Sequence, residues 1–221
     1  MKNYIFIILS LIFFGGCAII TVSDAGGMAG TGPIIAGHAN VDYWNEIVLN
    51  IRSNNGNVDV NFTHGEPSVN YTIEENLAEF VVIEQVGQRL YIGASQTLRN
   101  ANFIVNLSSP SLTHISFDGV MHFNGEIDEE NLNINIQGVN VIELTGYVNY
   151  LNLQVTGVNT LMFRNLRANI ANVDISGVNT VQINASEELN GRISGISNLT
   201  YFGNPEMGMI QDGVANIIRG E

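Results

Sequence analysis

Apolar and polar residues alternate over short stretches of this chain, and the stretches repeat. Leu132, Ile134 and Ile136 are separated by Asn133, Asn135 and Gln137; Leu151, Leu153 and Val155 by Asn152, Gln154 and Thr156; Ala171, Val173 and Ile175 by Asn172, Asp174 and Ser176. A period of two marks a half-buried strand, because successive side chains leave a strand on opposite faces. A second apolar pair follows each stretch: Ile142 and Leu144, Leu161 and Phe163, Val181 and Ile183, Leu199 and Tyr201. No segment spaces its apolar residues at i, i+3, i+4 and i+7 over the length of a helix.

Between the two strands of each unit stands a glycine. Gly119, Gly138, Gly157, Gly177, Gly195 and Gly213 lie 19, 19, 20, 18 and 18 residues apart. A fixed period of this size signals stacked supersecondary units. Leucine-rich repeats share the period, but they need a leucine ladder followed by a helix or its equivalent. β-branched residues and Asn dominate here, and Asn disfavours helix interiors. The pattern therefore predicts an all-β chain folded as a single parallel β-helix, one rung per 18–20 residues. Equivalent strands would lie about 4.8 Å apart.

The corner glycines fit turns that need φ > 0, where a Cβ is penalised. The motif Gly138-Val139-Asn140 recurs as Gly157-Val158-Asn159 and Gly177-Val178-Asn179. Its Asn has two structural readings. It adopts the left-handed conformation itself, or it points inward and stacks as an amide ladder.

Residues 42–92 also read as strands. Ile47, Leu49 and Ile51 alternate, then Val58, Val60 and Phe62, then Val69, Tyr71 and Ile73, with turn clusters at Asn54-Asn55-Gly56-Asn57 and His64-Gly65-Glu66-Pro67. Phe80 to Ile83 and Leu90 to Ile92 follow, joined through Gly87. These stretches are expected to be the first, less regular rungs, since terminal repeats cap a stack. Downstream stands Val105-x-Leu107-x-x-Pro110-x-Leu112-x-x-Ile115-x-x-x-Gly119, and then the repeated Gly-Val-Asn. Over residues 41–217 this arrangement resembles the head-domain family of auto-transporter adhesins called GIN after its Gly-Ile-Asn motif, with Val here in place of Ile. The resemblance implies a right-handed β-helix on a bacterial envelope protein and no catalytic residues.

The N-terminus reads as an export signal. Lys2, the only lysine, precedes an apolar run from Tyr4 to Phe14 and then Gly15-Gly16-Cys17. Small residues before a lone Cys resemble a bacterial lipobox, in which Cys17 is acylated and becomes the mature N-terminus. Phe14 stands where Leu is usual, and the alternative is an uncleaved anchor, since apolar residues resume from Ala18 to Val22. The expected organisation is a signal peptide over 1–16, a Gly-rich tether over 17–40 and the β-helical domain over 41–221. The localisation that follows is the cell envelope, lipid-anchored in the outer membrane, with secretion or a membrane anchor as alternatives.

Charge narrows the partners. Eight basic residues against 21 acidic ones give a net charge of −13. Such a chain has little to neutralise phosphates and is a poor candidate for nucleic acid. No cofactor is expected. His38, His64, His114 and His122 lack the spacing of a zinc site, and His114 and His122 read as surface polar residues. Asp128, Glu129 and Glu130 read as a solvated loop. No nucleophile elbow or phosphate-binding loop is present. The seven arginines, Arg52, Arg89, Arg99, Arg164, Arg167, Arg192 and Arg219, do not repeat in register, as the cationic base of a polysaccharide-cleaving β-helix would require.

One candidate surface remains. Counting five residues before each glycine gives His114, Asn133, Asn152, Asn172 and Asn190. In register these would form a wall of amides, read either as a solvated outer face or as a binding face for a glycan or a partner's backbone. The function expected is non-catalytic: surface display, adhesion or binding, with membrane attachment through the N-terminal lipid. A glycan-active envelope enzyme and a purely structural spacer are the alternatives.

Overall fold

The structure, a computed structural model, describes residues 23–221. The chain runs through β1 (Ser23–Ala29), β2 (Ile34–Ala39), β3 (Glu46–Ile51), β4 (Ser53–Asn54), β5 (Asn57–His64) and β6 (Ser68–Glu74). A short 3-10 helix, Glu75–Phe80, leads into β7 (Val81–Val86), β8 (Arg89–Ala94), β9 (Gln96–Arg99) and β10 (Asn102–Ser109). Then come the long bent strands β11 (His114–Val155), β12 (Val158–Ile175) and β13 (Val178–Ile193), followed by β14 (Ile196–Phe202), β15 (Glu206–Gln211) and β16 (Asn216–Arg219). Thirteen strands form one sheet, and β1, β9 and β4 form a second.

From β11 onward the repeats pair in parallel. Val139 lies opposite Val158, which lies opposite Val178, which lies opposite Ile196. Asn152, Asn172 and Asn190 align in the same way. The first half is different. β6 pairs antiparallel with β2 and with β10, and β7 pairs antiparallel with β8. The sheet is mixed, and no closed solenoid forms, so the expectation of a single right-handed parallel β-helix over 41–221 is corrected. Connection length is one reason. Only Gly87 and Gln88 separate β7 from β8, and a two-residue link makes a hairpin, whereas a parallel partner needs a crossover of a dozen residues or more.

The composition of residues 17–40 also misleads. Within the described part of that segment, β1 pairs with β9 and β2 with β6. A Cβ on Gly27 would lie 2.5 Å from the Thr97 carbonyl oxygen, and one on Gly37 would lie 2.3 Å from the Tyr71 ring. These glycines permit close packing, and β1 and β2 belong to the sheets rather than to a tether.

The core is one continuous cluster of alternating inward side chains, with Trp44, Phe103, Phe117, Phe123 and Phe163 its largest fully buried members. Trp44 meets Phe62 edge-on at 5.9 Å, and Phe117 meets Phe123 at 5.2 Å. In the repeats, Ile142, Leu161, Val181 and Leu199 stack as one buried column. Each such side chain contributes about 1.5–3 kcal/mol by leaving water.

The Gly-Val-Asn motif follows from this geometry. The glycine turns the chain at φ +102 (Gly138 and Gly157) or +103 (Gly177). The next residue faces solvent, with Val139 and Val158 at 50% and Val178 at 47% exposure, and the Asn then faces inward.

Candidate functional site

Two kinds of amide column arise from the repeat. The inner one comprises Asn140, Asn159 and Asn179, which are only 2–3% exposed. Asn140 Nδ2 donates to Asn159 Oδ1 at 3.0 Å, Asn159 Nδ2 donates to Asn179 Oδ1 at 3.0 Å, and Asn179 Nδ2 donates to Ser197 Oγ at 3.3 Å. Each Nδ2 also donates to the carbonyl three residues earlier, on Gln137, Thr156 and Ser176. Among the described residues, the non-glycine positive φ angles belong to Asn55 and Asn100 and to none of these three. Of the two readings, the inward ladder is the one adopted. Its role is structural: the Asn159 and Asn179 amides are satisfied by their neighbours in the ladder and by the corner carbonyls, while Asn140 Oδ1, where the ladder starts, is buried without a partner among the described residues.

The outer column occupies the face flagged by the repeat. Asn133 Nδ2 donates to His114 Nε2 at 3.1 Å, Asn152 Nδ2 to Asn133 Oδ1 at 3.1 Å, and Asn172 Nδ2 to Asn152 Oδ1 at 3.3 Å. Asn190 is in register but leaves the series, since its Nδ2 donates to Glu188 Oε2 at 2.8 Å. Opposite Asn190 stands Gly208, which has no amide to offer. Beside the column lies a shallow groove lined by Ser116, Asn135 and Gln154 together with His114, Asn133 and Asn152. The strands fix the amide planes, and Asn152 and Asn172 are exposed. Such a surface offers oriented donors and acceptors at one spacing along the sheet.

A second outer column escaped the count from the glycines. Asn149 Nδ2 donates to Glu130 Oε1 at 2.7 Å, and Asn169 Nδ2 donates to Asn149 Oδ1 at 2.7 Å and to the Tyr147 hydroxyl at 2.8 Å. Ser186 Oγ donates to Asn169 Oδ1 at 3.0 Å. The 20-residue spacing of Asn149 and Asn169 was visible. Register shifts between Glu143 and Gly146 and between Phe163 and Arg167 hid which residues line up.

The remaining polar candidates are engaged locally. Glu129 Oε1 accepts from the Leu112 backbone N–H at 2.7 Å, and His122 Nδ1 lies 3.4 Å from Asp59 Oδ1. Arg89 pairs with Glu46 at 2.7 Å; its hydrogen bond to Tyr91, and then that to Glu46, raises its pKa above the ordinary guanidinium value. Among the described residues no three of His, Cys, Asp and Glu converge as a metal site would require. No helix among them is long and apolar enough to cross a membrane. Cys17 lies outside the described residues.

The fold is shared with solved bacterial structures. The chain is similar to a crystallised putative adhesin from Bacteroides fragilis NCTC 9343, at TM-score 0.67 and 20% identity, over 88% of this chain and 100% of that one. It is also similar to a putative adhesin from Parabacteroides merdae ATCC 43184, at TM-score 0.51 and 19% identity, over 88% and 99%. At such identities the likeness is one of fold alone. No curated protein matches the chain. At the level of families, residues 50–205 match the one described as "Putative auto-transporter adhesin, head GIN domain". The match takes in every Gly-Val-Asn repeat and more than half of the chain, and the protein therefore belongs to this GIN head-domain family.

Proposed function

We propose that this chain is a non-catalytic binding protein of the bacterial cell envelope, acting in adhesion or surface display through its outer amide column. The observation that carries this reading is the surface series His114–Asn133–Asn152–Asn172, half-buried at Asn133 and exposed at the other three, joined by hydrogen bonds at 3.1, 3.1 and 3.3 Å. Planar amides held at a fixed spacing suit a glycan, whose hydroxyls donate and accept in turn. The adhesin description of the family supports the same direction. Each amide contributes little, so useful binding draws on several repeats, or on many copies at a surface.

A glycan array probed with the purified protein tests the reading. The double variant Asn152→Ala/Asn172→Ala should bind at least about tenfold more weakly, since hydrogen bonds at two repeats are lost. Its melting temperature should stay close to that of the parent, because both side chains are exposed. Alanine is preferable to aspartate, as two carboxylates on adjacent strands would repel and disturb the sheet. A variant that binds like its parent would leave the column as a solvated face. Release of reducing ends from an envelope glycan would show catalysis and overturn the reading.

In this proposal residues 1–16 are removed and Cys17 carries the lipid that holds the protein on the outer membrane. Mass spectrometry of the mature N-terminus should find a peptide that starts at Cys17 and carries acyl chains. Residues 1–16 still attached would exclude lipid anchoring.

A further inference from the structure

Three of the seven arginines meet at one place. Arg164, Arg167 and Arg219 line a single cavity of about 930 Å3, although the last lies more than 50 residues from the others. The repeat explains the convergence. Arg167 is paired across the sheet with Asn184, and Asn184 with Phe202 on the next strand, while Arg219 pairs with the neighbouring Tyr201. The register shift after Phe163 pushes Arg164 out of the alternating pattern, so counting from the glycines scatters these residues.

The chemistry of the cavity differs from that of the rest of the molecule. The chain carries a net charge of −13, yet Glu221 is the only acid among the lining residues. At physiological salt, charges screen one another beyond about 8 Å, so three guanidiniums set the local field despite the acidic whole. Arg164 lies over the Phe202 ring at 4.5 Å, and its Nη2 donates to the Glu221 carbonyl oxygen at 2.9 Å. Arg219 donates to the Gly203 carbonyl at 3.0 Å, while the Arg167 guanidinium has no hydrogen-bond or ion-pair partner among the described residues. Asn165, Asn184 and Asn204 line the same cavity, and Asn184 Nδ2 donates to the Arg164 carbonyl at 3.0 Å.

We propose that this cavity binds a carboxylate-bearing sugar. A guanidinium fork matches a carboxylate with two parallel hydrogen bonds. The amides can take the hydroxyls, since each offers both a donor and an acceptor. The half-buried Phe202 supplies an apolar edge. The cavity is large enough for more than one sugar unit. It shares no residue with the groove beside the outer amide column, and the proposal stands apart from that surface.

Calorimetric titration of the purified protein with tetragalacturonate tests the proposal, with the methyl-esterified tetramer as a neutral copy of the same shape and inorganic phosphate as a simple anion. The acid should bind at least about tenfold more tightly than its ester, the value of one charge-assisted contact. Arg167→Gln, on an exposed and unpartnered side chain, should weaken binding severalfold without moving the melting temperature. Arg167→Gln/Arg219→Gln should weaken it by more than about tenfold. Asn152→Ala/Asn172→Ala should leave it unchanged, which separates failure here from failure of the outer column. Equal binding of acid and ester, or a double arginine variant that binds like its parent, would overturn the proposal. Displacement of the tetramer by phosphate at equal concentration would also overturn it, leaving a general anion site.

Discussion

Gly157→Ala is expected to lower the melting temperature by roughly 6–12 °C, a loss of about 3 kcal/mol or more for a domain of this size. Two effects combine. Gly157 sits at φ +102, where an L side chain is strained by about 1–3 kcal/mol. A Cβ there would also lie 2.2 Å from the Gly138 carbonyl oxygen and 3.0 Å from its backbone nitrogen, so the methyl group meets backbone rather than a side chain that could turn aside. The same contact recurs along the stack, with Gly177 on Gly157 and Gly195 on Gly177. Gly87→Ala is the control, because Gly87 has φ +61 but a Cβ there would meet nothing within 4 Å. Only the backbone term should appear there, at about 1–3 kcal/mol. Thermal melts of both variants check the difference, and equal losses would mean that the glycine column is not in contact from repeat to repeat.

Asn159→Leu should cost about 3–6 kcal/mol; it keeps the branching at Cγ but removes every polar atom of the side chain, and its larger volume adds to the loss. The amide Oδ1 accepts from the Asn140 backbone N–H at 3.1 Å and from Asn140 Nδ2 at 3.0 Å, while its Nδ2 donates to the Thr156 carbonyl and to Asn179 Oδ1. Leucine leaves these buried groups unpaired, each at about 1–3 kcal/mol. Asn159→Asp sharpens the test. A carboxylate keeps the bonds from Asn140 but turns an oxygen toward the Thr156 carbonyl and Asn179 Oδ1, both acceptors. Protonation restores a donor, so the new acid should titrate higher in the folded than in the unfolded chain. Its variant should be most stable below the ordinary carboxylate range and lose that stability as pH rises through it. Denaturant melts at two pH values read this directly. A leucine variant within about 2 °C of the parent would show that the ladder carries no weight.

How far the fold could be read from the chain differs between its halves. In the repeats, alternation placed Leu151, Leu153 and Val155 inward, and the glycine period set a register that the pairing of Asn152 with Asn172 and Asn190 reproduces. In the first half the same alternation, at Val69, Tyr71 and Ile73, says nothing of strand direction. Period two is identical in parallel and antiparallel sheets, and β6 runs antiparallel to both of its neighbours. Glycine content misled at Gly27 and Gly37 because close packing and flexibility call for the same residue. The inner amides were legible as one of two options, and burial decided between them. The outer column was legible as far as Asn172; at Asn190 the next strand offers Gly208, and Glu188 takes the amide instead. The arginine cavity was not legible, since one bulge after Phe163 is enough to spoil a count by repeats.

The sheet's pairing distances set an order of assembly. In the repeats, partner residues such as Val158 and Val178 lie 20 positions apart, so each unit can dock on the one just finished. In the first half β3 must find β11 across 68 positions, Glu46 with His114, and β5 must find it across 63, Asp59 with His122. Closing the longer loop costs about 1 kcal/mol more, and contacts at greater separation form more slowly. β3 and β5 can pair earlier with β8 and β10, Glu46 with Arg89 and Asn57 with Asn102, but each keeps one edge open until β11 is made. The repeats can zip from their own end, while the open edges of β3 and β5 persist in the interim, and those edges are where aggregation competes with folding.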